Sequence, residues 1–138
     1  MKTRIFSFLI AFAAMAMLFT GCKKETEEQT ADSPIVGTWL ANENSFSSQT
    51  FTDISTGEVH EDKYSLKGWK VTFNADGTCS VGSWTMSGNK LTLDLYSEIQ
   101  EYNVLKLDDK SLIIEKSTEQ EVGGSHSVLK THYELDKQ

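Results

Sequence analysis

Arginine is missing after Arg4, proline occurs once, at Pro34, and cysteine twice, at Cys22 and Cys79. Without arginine the rest of the chain lacks the planar fork that best grips carboxylates and phosphates. Over the full chain 13 basic residues face 20 acidic ones. That balance makes a poor partner for nucleic acid, which has to be met by positive charge. A glycine-rich phosphate loop, a nucleophile elbow and a Cys–His pattern are all missing. Histidine occurs at 60, 126 and 132 only. Six residues of extended chain span about 20 Å, so His126 and His132 cannot share a metal on one strand. Glu58, His60 and Asp62 would share one face of a strand, and a solvated polar face explains them. Asp108-Asp109 reads as turn chemistry. A serine-based triad is recognised by geometry rather than by spacing, and nothing here raises one. The expectation is a protein that is not an enzyme, with neither metal nor cofactor.

One long apolar run is present, at residues 5–19, broken only by Ser7. Lys2 and Arg4 precede it, and the small residues Thr20 and Gly21 follow. A positive start, a short apolar core and small residues before a cleavage point make a secretory signal peptide, too short for a comfortable transmembrane helix. The ending Phe19-Thr20-Gly21-Cys22 resembles the bacterial lipobox, with Phe19 in place of the preferred Leu. The resemblance implies that residues 1–21 are removed. It further implies that the Cys22 thiol takes a diacylglyceryl group and its new amine a further chain such as palmitate. Several acyl chains make a durable anchor, since each buried methylene contributes about 0.8 kcal/mol.

Removing Lys2 and Arg4 leaves 11 basic residues against 20 acidic ones, a net charge of −9. With Cys22 lipidated, Cys79 has no disulfide partner and reads as a small buried apolar residue. Residues 22–33 form the acylated cysteine and a polar linker with no apolar periodicity. Lys23 stands where an inner-membrane lipoprotein often has Asp. The expected location is therefore the outer membrane, facing the periplasm or the cell surface. Residues 24–28 loosely resemble the acidic export signals of some surface lipoproteins, and read equally well as a solvated charged linker.

Residues 34–138 read as one all-β domain. Short alternating segments recur between Gly, Asn and Asp turns, and helix signals are almost absent. Trp69, Val71 and Phe73 alternate on one face, as do Leu91, Leu93 and Leu95, and then Leu129, Thr131, Tyr133 and Leu135. The pattern predicts eight or nine sequential antiparallel strands. Such a meander exposes its edges unless it closes. Closing about eight strands gives a small up-and-down barrel, filled or holding one small ligand; a flattened sandwich is the alternative.

The entry Ile35-Val36-Gly37-Thr38-Trp39 resembles the Gly-x-Trp entry of the lipocalin family. Residues 71–78, 82–86 and 88–93 are similar to segments of bacterial lipocalin-like lipoproteins. The resemblance implies an eight-stranded barrel with Trp39 plugging its closed end and a small ligand inside. Lipocalins lay a C-terminal Arg across that Trp; this chain has none there, and Lys130 is the residue considered for its place. The aromatic side chains Trp39, Trp69, Phe73, Trp84, Tyr102 and Tyr133 are the candidate pocket. Core packing is the plainer reading of them. Polar groups from 42–52 would stand at the pocket's mouth. The expected function is binding of a small apolar molecule or a glycan fragment at the cell envelope. The alternative is a non-catalytic structural or protein-interaction lipoprotein of an outer-membrane complex.

Overall fold

The computed structural model describes residues 33–138. The expected signal peptide, Cys22 and most of the expected linker lie outside the described residues. Among those described, all regular structure is strand: β1 (Gly37–Ala41), β2 (Phe46–Asp53), β3 (Val59–Ser65), β4 (Lys70–Phe73), β5 (Thr78–Cys79), β6 (Gly82–Ser87), β7 (Lys90–Asp94), β8 (Ile99–Leu107), β9 (Ser111–Val122) and β10 (Ser125–Lys137). All pairings are antiparallel. The neighbours run β1-β4-β5-β6-β7-β8-β9-β10, and β10 pairs back onto β1, closing an eight-stranded barrel.

Tight turns set the registers. In the 74–77 turn the Asp76 carboxylate accepts hydrogen bonds from the Thr78 N–H (2.9 Å) and hydroxyl (2.6 Å), while Gly77 takes φ +87°. Asp108 accepts the N–H groups of Lys110 and Ser111. Asp53 likewise takes those of Ser55 and Thr56. These hydrogen bonds favour the charged carboxylates and hold all three pKa values below the usual range. Along β8 an extra residue, Leu105, stands between the paired Val104 and Lys106, a bulge that leaves its side chain outside the barrel.

The core follows the predicted alternation. Ile35, Trp39, Val71, Phe73, Trp84, Leu91, Leu93, Leu112, Ile114 and Leu135 are all essentially fully buried. Phe73 meets Trp84 edge to face at 5.6 Å, a favoured aromatic geometry. The Trp84 indole N–H donates to the Asn74 carbonyl at 3.0 Å. Cys79 is buried and free.

The end where the chain enters is sealed. Trp39 donates its indole N–H to the Ile35 carbonyl at 2.7 Å. Lys137, its partner across the β1–β10 ladder, sets its ammonium 5.2 Å from the Trp39 ring centre. The same ammonium donates to the Pro34 carbonyl at 3.1 Å. Lys137 thus takes the place considered for Lys130. The reason is strand parity: Lys137 shares a face with Leu135 and Tyr133, whereas Lys130 points outward and pairs with Glu115 at 3.0 Å.

At the opposite end the wall outgrows the barrel. β10 pairs with β1 over 135–137 and with β2 over 125–132 along the same edge. The remainder of β9, β10 and the β2–β3 hairpin therefore form a four-stranded arm beyond the barrel mouth. None of the seven residues of β3 is buried.

Candidate functional site

The structure separates the six aromatic candidates into two groups. Trp39, Phe73 and Trp84 belong to the close-packed core just described and line no accessible surface. Trp69, Tyr102 and Tyr133 come together at the end of the barrel from which the arm springs. Trp69 precedes β4 and is half-buried. Its ring meets Tyr133 at 4.5 Å, and Tyr133 meets Tyr102 at 6.1 Å. Tyr133 sits on β10 directly beyond the stretch that pairs with β2, so the cluster marks the floor where barrel becomes arm.

Around this floor the side chains turn polar. The face of β10 that carries Tyr133 and Leu135 inside the barrel continues up the arm as Thr131, Leu129 and Ser127. In the paired register Ser47, Gln49 and Phe51 of β2 lie beside them, and Tyr64, Asp62 and His60 of β3 beyond. Gln49 donates to the Ser127 hydroxyl at 3.4 Å. The Lys116 ammonium lies 5.7 Å from the Tyr102 ring centre. Burial pushes the Tyr102 hydroxyl pKa up to about 12, with Tyr133 and Glu98 adding to it. Burial also raises that of Tyr133. Both phenols are therefore neutral hydrogen-bonding groups at any physiological pH.

One atom at this end is unsatisfied. Gln100 lies two residues along the same face of β8 from Tyr102 and is 8 % exposed. Among the described residues, no donor reaches its Oε1. A buried acceptor without a partner costs about 1–3 kcal/mol, and such groups call for an explanation at the site where they occur.

A cavity of about 550 Å³ opens on the other face of the arm, lined by Glu43, Asn44, Ser45, Phe46, Lys63, Ser65, His132 and Glu134. His132 stacks on Phe46 at 5.3 Å and contacts the Glu115 carboxylate at 2.8 Å. The Lys63 ammonium lies 3.9 Å from the Phe46 ring centre. Asn44 donates to Glu134 at 2.8 Å; that bond, with desolvation opposing and His132 assisting, holds the Glu134 carboxyl below its usual pKa. Desolvation works to raise Glu115, but hydrogen bonds from Lys130 and His132 outweigh it and lower its pKa. The sequence reading missed this groove. Its signal was Phe46, an aromatic residue at the start of an otherwise Ser/Thr-rich strand.

Among the described residues no group of three His, Cys, Asp or Glu side chains is placed to hold a metal ion. Glu58, His60 and Asp62 are exposed at the rim. Compared with protein-family models, with curated proteins and with solved structures, the chain matches none.

Proposed function

We propose that this protein is a lipid-anchored cell-envelope lipoprotein that acts by binding. Its ligand is a small molecule with a flat apolar face and hydroxyl groups, a glycan fragment being the fitting class, held at the mouth of a lipocalin-like barrel. The observation that carries this reading is the Trp69–Tyr133–Tyr102 cluster beside the buried, unpartnered Gln100 Oε1. The half-exposed Trp69 ring, backed by Tyr133 at a tilt of 33°, offers a flat surface for the apolar face of a sugar. An acceptor without a donor suits a ligand hydroxyl, and pockets of this class are apolar with a few placed polar groups. The filled lower barrel argues against a wholly apolar ligand deep in the lumen. The chain enters at the sealed end, so a tether from Cys22 would leave the mouth facing away from the bilayer.

The tryptophans make the test simple, because Trp39 and Trp84 are buried while Trp69 is half-exposed. Titration of envelope glycan fragments is expected to shift the fluorescence of the wild-type protein. Trp69→Phe should abolish the signal, and Gln100→Leu should weaken binding by about tenfold, the loss of one buried hydrogen bond. A ligand that binds equally well to both variants would place the site elsewhere. The anchor is tested separately. Cys22→Ser is expected to end palmitate labelling and to release the protein from membranes, and labelling that persists in this variant would overturn the lipoprotein reading.

A further inference from the structure

The edge of the arm invites a partner of a different kind. Among the described residues β3 is the last strand of its sheet and has a neighbour on one side only. The Asp53 N–H bonds to the Glu58 carbonyl, and the Leu66 N–H to the Ser45 carbonyl, both at 2.9 Å. Between these two bonds the antiparallel ladder alternates. In the register Phe46↔Ser65 to Thr52↔Val59, His60, Asp62 and Tyr64 turn their backbone groups toward β2. Val59, Glu61 and Lys63 turn theirs toward the open edge. β3 contains no proline and no bulge. Covering is one common way proteins blunt such an edge, and charges are another. Here the side chains beside it are Val59 (61 % exposed) and Tyr64 (64 %) as well as charges.

The surroundings select the charge of whatever pairs there. Residues 42–67 carry five acidic side chains, Glu43, Asp53, Glu58, Glu61 and Asp62, against Lys63 and Lys67. The side chains of an added strand on the Val59–Glu61–Lys63 face would run along the groove described above. Lys63 and Ser65 form one rim of that groove, and Glu43, Glu134 and the Phe46 ring lie within it. A second copy of this chain brings the same negative charge and is disfavoured.

We propose that the β3 edge takes an extended, basic segment of a partner protein by strand addition, its Lys or Arg side chains meeting Glu58, Glu61 and Asp62 across the new pairing. Backbone pairing supplies affinity and the alternate side chains supply specificity in this mode of recognition. The site is separate from the barrel mouth, and its occupancy does not depend on a small ligand.

The probe is a synthetic peptide of alternating Val and Lys matched to the 7 residues of β3, with a Val/Glu peptide as its counterpart. The Val/Lys peptide is expected to slow amide exchange at Val59, Glu61 and Lys63 by about tenfold at saturation, as new ladder bonds form. The N–H of Glu61 is not used within the sheet, so Glu61→Pro should keep the fold and its melting temperature while abolishing the protection. N-methylation of alternate peptide residues should do the same with the protein unaltered, and Asp62→Asn should weaken binding several-fold. Equal binding of the acidic peptide, indifference to N-methylation, or no binding at all would overturn the proposal. A peptide that changes Trp69 fluorescence without protecting the β3 amides would also overturn it, by placing the peptide at the mouth.

Discussion

Gly82→Ala is expected to prevent the barrel from folding. Gly82 opens β6 with φ +145° and pairs with Cys79 across a two-residue turn of the wall. A Cβ built there would overlap the backbone carbonyl oxygen of Asp94 and stand 3.3 Å from the Leu95 Cα. Both obstacles are backbone, held in place by the β6–β7 ladder, so no side chain can swing aside. The backbone angle adds its own strain. Together they put the loss above about 4 kcal/mol, the range reached only by a few named mechanisms, out of a typical total of about 5–15 kcal/mol. Gly88→Ala is the matched control. Gly88 also has a positive φ, +57°, but nothing lies within 4 Å of its missing Cβ. It should cost only about 1–2 kcal/mol. Urea unfolding of the two variants measures the difference. A Gly82→Ala protein as stable as Gly88→Ala would show that the close approach of β6 and β7 is not what the structure depicts.

Trp39→Ala carries the second largest expected effect. Trp39 is fully buried between Ile35 and the Lys137 side chain, and its N–H is committed to the Ile35 carbonyl. Truncation removes the plug, leaves that carbonyl without its donor and opens a cavity under the lysine. Trp→Ala at buried sites costs about 3–5 kcal/mol, which lowers the melting temperature of a domain this size by about 12–40 °C. Trp39→Phe keeps most of the volume and should recover more than half of the loss. Lys137→Met in the wild-type background should cost about 1 kcal/mol, the worth of a partly shielded cation over an indole. In the Trp39→Ala background the same change should cost less. Additive losses in this double-mutant cycle would mean that the lysine caps the chain entry through Pro34 alone.

Much of the barrel could be read from alternation. Trp69, Val71 and Phe73, then Leu91 and Leu93, then Tyr133 and Leu135, all lie inward as their parity predicts. The same parity assigns Lys137 to the inner face and Lys130 to the outer one, so the cover over Trp39 was legible once the strand was carried to its end. The extent of the wall was harder to see. Residues 46–66 have strand composition and a clear turn at 55–57, and they do form a hairpin. Yet β3 buries nothing, and β2 buries only Ser48. A strand with no apolar face has nothing to contribute to a core, and that is the physical reason the hairpin stands outside the barrel. Which strand closes onto which was not readable, because pairing partners depend on contacts nearly a hundred residues apart.

The candidate site was legible in its members but not in its grouping. Alternation places all six aromatic side chains on inward faces, and five of them are buried. Depth along the strand decides which line a surface, and depth depends on strand register and tilt. Trp69 and Tyr133 sit where apolar positions give way to Ser, Gln and Thr on neighbouring strands, a boundary visible only once those strands are paired. The unpartnered oxygen of Gln100 had no sequence signal at all, since a glutamine at an inward position is informative only when its neighbours are known.

β10 joins three parts of the molecule at once: β9 along its whole length, β1 at one end and β2 at the other. This gives the chain an order of assembly. The hairpins from β4 to β9 can form as they are made, each from residues close in sequence. The seam between Trp39 and Lys137 and the support of the arm both wait for residues 125–137. A chain delivered N-terminus first therefore cannot close its barrel until its final strand arrives. Closure is set by the last residues of the chain, and a barrel cut short of them would keep its local hairpins but not its seam.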